Sequence, residues 1–399
     1  MRRHVYFGIF ILVMTGIFIQ SVQAIPAFAR KYSVSCVACH SPFPKLTSFG
    51  EDFAANGFTM PGPEPTHTVV NTGDETLLLQ RTLPLALRLD GFIHFSDRGD
   101  STRRGKDLQT PYILKVFSGG PVSKHVSYYF YFFFSERGEV AGIEDAYLHF
   151  NNLFGQPLDI LVGQFQVSDP MYKRELRLTF EDYMIYKKRV GAVPTNLTYD
   201  RGLLINYTAP WGSDFFLEIV NGNGKEPADE YRQFDNDDYK NYALRWTHEF
   251  DWLRLGAFGF WGLTEDVRAK RTNWMEMFGP DATLNVGPLE INMQYLIRRD
   301  DNPFYSPRKP AEKIETRGGL VEVIYSPKAS QSKWYVIGLY NKITSNIQDV
   351  YPEAKSLEYE TACVNCTYLL ARNLRLTVEY RHDLIHNENR LTLGVVSAF

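Results

Sequence analysis

The 399-residue chain has little cysteine, no excess of either charge and only one long apolar run. The four cysteines fall into two Cys-x-x-Cys pairs, 36/39 and 363/366. With 43 basic against 46 acidic residues, a net charge of −3, there is no basic footprint for nucleic acid. No glycine-rich phosphate loop, nucleophile elbow or zinc-protease motif occurs. The apolar run, Val5 to Ile19, is too short to span a bilayer comfortably. It follows Arg2 and Arg3 and precedes Val22-Gln23-Ala24, which offers small residues at the −3 and −1 positions of a cleavage site. This is the pattern of a secretory signal peptide over residues 1–24, an uncleaved anchor being the alternative. No other stretch reaches spanning length, so the exported remainder is expected to have no transmembrane helix. Export also places the cysteines in an oxidising compartment.

What is abundant is aromatic. Phe, Tyr and Trp make up 15% of the chain, most of it Phe and Tyr, as the girdles of membrane barrels require. From Leu85 to Phe399 the sequence alternates. Leu374, Leu376, Val378 and Tyr380 interleave with Arg375, Thr377, Glu379 and Arg381; Leu289, Ile291, Met293 and Tyr295 interleave with Glu290, Asn292 and Gln294. A period of two with one apolar face means strands. Charges recurring on the other face exclude a dry sandwich and predict a closed barrel with lipid outside and a polar lumen. Sixteen strands are expected, from 85–97 to 388–399. The least regular is 271–284, interrupted by Gly279-Pro280, since proline removes a ladder donor. Connections alternate between tight (Asn151–Gln156, Ala209–Gly212, Ala371-Arg372) and long and charged (Ser168–Asp200, Asn221–Asp237, Asp300–Thr316). In outer-membrane barrels the short turns are periplasmic, which puts both barrel ends in the periplasm.

One motif stands ahead of the barrel. Cys36-Val37-Ala38-Cys39-His40 fits the attachment pattern of haem c: two thiols form thioethers and the following histidine takes the iron as proximal ligand. A redox or disulfide Cys-x-x-Cys is the alternative. Leu46, Phe49 and Phe53 then share one face of a short helix that Asn56-Gly57 would stop. Pro61-Gly62-Pro63-Glu64-Pro65 opens a stiff linker over 61–84. The haem module, 25–60, is below the size at which a chain folds without a metal, crosslink or partner surface. It is therefore expected to dock in or at the barrel lumen. The distal iron ligand stays open among Met60, His67, a residue of the remaining chain, and none. His94 and His149 face the lumen in the expected register and are read chiefly as hydrogen-bonded lumen histidines. Asp90, Asp145, Glu290 and Glu379 could guide cations, but the interspersed arginines favour paired charges lining the lumen. The loop around Asp169–Arg177 is read as a solvated outer loop, with inward folding or a donor contact as alternatives. Cys363-x-x-Cys366 is followed by Thr367 rather than histidine; it reads as barrel structure, a disulfide there needing a bulge.

A single Cys-Val-Ala-Cys-His module ahead of some sixteen strands resembles the fused cytochrome–porins of iron-oxidising bacteria. Pro26-Ala27-Phe28-Ala29-Arg30 before the motif and Pro44-Lys45-Leu46, Phe49-Gly50 and Asn56-Gly57-Phe58 after it carry the likeness. The resemblance implies an outer-membrane electron-transfer conduit, with Cys36 and Cys39 holding one haem c and His40 its iron. It implies an extracellular donor, Fe(II) being the candidate, and a periplasmic cytochrome or other carrier as acceptor. Two other functions fit the same residues: a diffusion porin whose haem staples a plug, and a haem peroxidase.

Overall fold

The computed structural model describes residues 27–97 and 105–399. The expected signal peptide, 1–24, lies outside them. Three short helices come first: α1 (Ala27–Tyr32), α2 (Cys36–Cys39) and α3 (Ser48–Ala55). Thr47 caps α3 by accepting from the Gly50 amide, and Asn56 ends it, followed by Gly57 at φ +64°. The segment after it is more than a spacer. Glu64 turns back to pair with Lys31 and to accept from Tyr32 and Thr68. A small antiparallel pair, β1 (Val69–Val70) with β2 (Leu79–Gln80), leads to the barrel.

The barrel comprises β3 (Leu85–Ser96), β4 (Lys106–Ser123), β5 (Val126–Glu136), β6 (Gly142–Phe150), β7 (Leu158–Gln166) and β8 (Tyr199–Ala209). It continues with β9 (Ser213–Val220), β10 (Asn241–Glu249), β11 (Leu253–Asp266), β12 (Arg271–Val286) and β13 (Leu289–Asp300). The last five are β14 (Ile314–Tyr325), β15 (Trp334–Ser345), β16 (Tyr359–Ala371), β17 (Leu374–Asp383) and β18 (Glu388–Ala398). Each pairs antiparallel with its chain neighbours, and β18 pairs with β3 to close the cylinder. All sixteen expected strands are present. The Gly279-Pro280 strand runs through: its ladder to β13 lapses between Phe278↔Ile297 and Asp281↔Gln294, and the Pro280 carbonyl accepts from the Gln294 side chain instead.

Alternation decides the faces. On β17, Arg375, Thr377 and Glu379 are buried while Leu376, Val378 and Tyr380 are exposed. Asp90, His94, Asp145 and His149 face inward as expected. Cys363 is buried inside and Cys366 exposed outside, and the two are not disulfide-bonded. Tight turns such as 124–125, 287–288 and 372–373 gather at one end; the long connections gather at the other. Leu87 and Phe399 exchange backbone hydrogen bonds of 2.6 and 2.8 Å at the short-turn end, so the barrel starts and finishes there.

The lumen departs from expectation in two ways. It is not uniformly polar: Phe258, Phe260, Met275, Met277, Leu296 and Leu339 point inward and form one apolar cluster. The partner that dries them is the connection from 167 to 198. That segment is not a solvated outer loop but folds into the barrel, burying Val167, Met171, Tyr172, Tyr183, Ile185, Tyr186 and Leu197. Its charges drew the solvated reading, yet its apolar and tyrosine content exceeds what a surface loop would leave in water.

Candidate haem-attachment site at the short-turn mouth

The attachment motif is a single helical turn folded against a second helix. Within α2 the His40 amide donates to the Cys36 carbonyl (2.9 Å). The Thr47 amide donates to the Cys39 carbonyl (2.9 Å) and the Thr47 hydroxyl to the Ala38 carbonyl (2.7 Å). These bonds draw α3 onto α2, and Gly50 makes the approach possible, since a Cβ there would overlap the Cys39 carbonyl. The two thiols are half-buried and not joined in a disulfide. Burial, and for Cys39 the neighbouring Cys36, pushes both thiols above their usual range.

His40 is oriented by its own loop. Its Nδ1 lies 2.6 Å from the Pro44 carbonyl oxygen, which makes Nδ1 the protonated nitrogen and leaves Nε2 as the free ligand atom. Burial holds the imidazole below its ordinary range, outweighing the Pro44 and Lys45 contacts, which favours the neutral ring that metal ligation requires. A fixed tautomer and two unbridged thiols one turn apart fit a covalently held haem on the proximal side.

The distal side is less prepared. The cleft that contains Cys36 and His40 is lined by Val37, Pro42 and Phe43 from the same segment, by Ala329, Ser330, Ser332 and Arg372 from barrel turns, and by Leu369 of β16. Neither Met60 nor His67 lines it. Met60 is half-buried just beyond α3, and His67 Nε2 lies 3.3 Å from the Lys31 carbonyl, on the α1 side. The sequence-predicted proximal group is thus brought together, and the two distal candidates are not.

The whole N-terminal segment sits across the short-turn mouth and reaches both sides of it. Phe58 stacks on Tyr129 of β5 (4.8 Å between ring centroids), and Phe28 approaches Phe117 of β4 (6.3 Å). Asn151 donates to the Asn56 carbonyl (3.1 Å). Across the lumen Lys45 pairs with Glu290 of β13, and Tyr335 of β15 donates to the Phe43 carbonyl (2.8 Å). Sequence reading missed Tyr335, Arg372 and Arg375 as neighbours of the motif. Nothing local marks them, and only barrel closure brings residues some 300 positions away to the cysteines.

From the other mouth the inward segment spans the lumen. Tyr172 donates to the Ala282 carbonyl (2.8 Å), Tyr183 to Glu322 (3.0 Å) and Tyr186 to Gln294 (3.1 Å). Glu379 accepts from the Phe180 and Glu181 amides. Arg174 pairs bidentately with Asp182, and Lys115 of β4 pairs with Glu175 (2.9 Å). Asp90 is likewise held by Arg88. Among the described residues no three His, Cys, Asp or Glu side chains converge as a metal site, and no helix is long and apolar enough to cross a membrane.

Comparison with known proteins gives a fold. No family description and no curated protein matches the chain in sequence. Solved structures do match. An anion-selective porin from Comamonas acidovorans is 10% identical with a TM-score of 0.57, covering 80% of this chain and 99% of that one. Salmonella typhi OmpF, solved in complex with daunomycin, gives 10% and 0.57, covering 82% and 98%. The loop L8 deletion mutant of OmpT from Vibrio cholerae gives 14% and 0.54, covering 80% and 99%. The chain has the porin fold, the sixteen-stranded architecture of the bacterial outer membrane. At these identities the likeness is one of fold.

Proposed function

We propose that the protein is an outer-membrane barrel that relays electrons through one haem c held at its periplasmic mouth by Cys36, Cys39 and His40. The observation that carries this is the His40 ring, fixed through Nδ1 on the Pro44 carbonyl beside two unbridged thiols. When bound, the haem supplies one-electron exchange between ferrous and ferric iron. The chain's part is to hold and orient: the α2 turn presents the thiols, Pro44 sets the tautomer, and Phe43, Leu369 and the 329–332 turn limit water at the cleft. The exposed apolar face and the porin fold support residence in the outer membrane, with the short turns in the periplasm. A donor there is a periplasmic or extracellular electron carrier, Fe(II) being one candidate for the latter. The hydrocarbon core is about 25 Å tall. Transfer from the loop face to the mouth therefore calls for a second carrier that enters the lumen or docks on it.

The fold itself favours a second reading, a solute channel whose mouth is closed by a haem-stapled plug. Its support is the likeness to porins, one of them described as anion-selective. The inward packing of residues 167–198 narrows the lumen but leaves a cavity between the segment and the wall, lined by Arg88, Asp90, Glu175, Arg177 and Arg375, so it is compatible with either reading. Full-length protein purified from outer membranes separates the two. The relay predicts a covalent haem band, one haem per chain, reduction by a soluble donor, and no conductance steps in a planar bilayer. Steady conductance with a haem that no donor reduces would overturn it in favour of the channel.

A further inference from the structure

We infer that the connection between the N-terminal segment and the barrel is a lipid anchor, whose β1–β2 hairpin lies over the rim with Val70, Leu77, Leu79 and Leu83 in the periplasm-facing phospholipid leaflet. This needs no haem and rests on the outer-membrane residence of the barrel alone. The first observation is the path of the chain. Gly119 and Gly120 are neighbours on β4 and face opposite sides of the wall. Gly119 pairs with Tyr129, and the Phe58 ring, stacked on Tyr129 inside the mouth, would meet a Cβ there at 3.0 Å. Gly120 pairs with Tyr128 on the outward face, and there the Gln80 side chain would meet a Cβ at 3.0 Å. Gln80 also donates through Nε2 to the Pro121 carbonyl (3.1 Å). Between Phe58 and Gln80 the chain therefore passes from the lumen, over the rim beside the β4–β5 turn, to the outer side of the wall.

The second observation is what the hairpin shows once it is outside. Val69 pairs with Gln80 and Val70 with Leu79, and residues opposite each other on a ladder share a face. Val69 and Gln80 are half-buried on the barrel side, so Val70 and Leu79 turn away from it and are exposed. Leu77 is 49% exposed, Leu79 44% and Leu83 56%. Leu83 leads into Leu85 and Leu89, which are exposed on the lipid face of β3. The apolar surface of the hairpin is thus continuous with the surface that hydrocarbon already covers, and leaving it in water beside that surface would be unfavourable. At the same end Phe154, Trp211, Trp252 and Trp334 are exposed on or beside tight turns, the residue types that mark a membrane interface. The polar parts fit the same depth. The hairpin tip, 71–76, is polar and exposed, and Arg81 and Lys124 stand exposed beside the apolar run, where long cationic side chains reach lipid phosphates. The β4–β5 rim is therefore gripped from within by Phe58 and from without by a hairpin that lipid holds down.

The test places the photo-cross-linking residue p-benzoylphenylalanine at position 79 of the otherwise wild-type, full-length chain and irradiates intact outer membranes. Mass spectrometry of the purified chain reads the adduct. The same probe at Leu89, on the lipid face, and at Thr76, at the hairpin tip, supplies the two references. The inference expects a phospholipid adduct at 79 in a yield comparable to that at 89 and several-fold above that at 76. A protein adduct at 79, whether a second copy of this chain or another partner, would overturn it, as would a lipid yield no higher than at 76. A second measurement uses no probe. In nanodiscs of phosphatidylethanolamine and phosphatidylglycerol, which leave both faces open, Leu77→Gln with Leu79→Gln should raise the rate of tryptic cutting after Arg81 several-fold. An unchanged rate would equally overturn the anchor. Neither readout depends on haem, so a chain that carries no haem leaves both expectations in force.

Discussion

The lumen is entered by the chain from both mouths, and the two intrusions are built on different principles. Residues 167–198 are anchored at both ends in adjacent strands and merge with the wall. Their tyrosines and aliphatics share one apolar cluster with residues of β8 to β16, and Arg174 and Asp182 pair within the segment itself. The N-terminal segment is tethered at one end and keeps a cluster of its own, with Phe28, Tyr32, Phe53 and Phe58 in mutual ring contact. Its bonds to the wall are few, mostly polar, and spread around the rim. The inward segment is thus the core of the barrel, whereas the N-terminal segment is a small body docked on it. A body of that size lacks the buried surface to stand alone, so its order depends on what it grips.

That contrast can be broken from either side. The largest effect is expected from Cys36→Ser with Cys39→Ser: covalent haem should vanish from a denaturing gel while the barrel keeps its heat-modifiable mobility. Loss of barrel assembly in that variant would mean that the two bodies are one folding unit. Next is Tyr186→Ala. Tyr186 is fully buried and bonded to Gln294, so its removal leaves a cavity and should cost about 3–5 kcal/mol. Urea unfolding followed by tryptophan fluorescence would register it, and fluctuating conductance should appear as the segment loosens. Arg174→Ala should cost less, about 3 kcal/mol, at the low end for breaking a buried pair because Lys187 still faces Asp182 at 3.2 Å. Protease cutting between 167 and 198 is the readout, and an uncut segment in this variant would argue that apolar packing alone holds it.

The barrel was legible because its signal is repeated sixteen times. One ambiguous segment, such as 271–286 with its Gly279-Pro280, is carried by its neighbours' registers. The candidate attachment motif is a local pattern: five consecutive residues place both thiols and the imidazole on one turn, and the fold adds their position at the short-turn mouth. The inward course of 167–198 was not legible, since a run such as Tyr172-Lys173-Arg174-Glu175 has the charge of a surface loop, and its counter-charges, Asp182 in the same segment and Lys115 on β4, meet it only in the fold. A better clue was the cluster of Tyr183, Ile185 and Tyr186 just beyond it, which has no reason to face water. Arg375 was read as one of many lumen arginines. Its lack of a carboxylate among the described residues is visible only once the register of β16 and β17 places Leu369, not an acid, opposite it.

The smallest expected effect bears most directly on the docked body. Lys45 crosses the mouth to Glu290, and both side chains remain partly open to solvent. Such a pair contributes on the order of 1 kcal/mol, diminished by salt. Lys45→Ala should therefore leave barrel unfolding and haem attachment unchanged, because neither the thiols nor the His40–Pro44 bond involves its side chain. It should instead raise the rate at which a protease reaches the 61–84 connection by several-fold, and wild type in high salt should move toward the same rate. Glu290→Gln should behave like Lys45→Ala, and the double change should add nothing, as expected if the two act as one contact. Additive effects would place their contributions elsewhere: Glu290 also accepts from Asn292 within the wall, and loosening β13 would then account for its share.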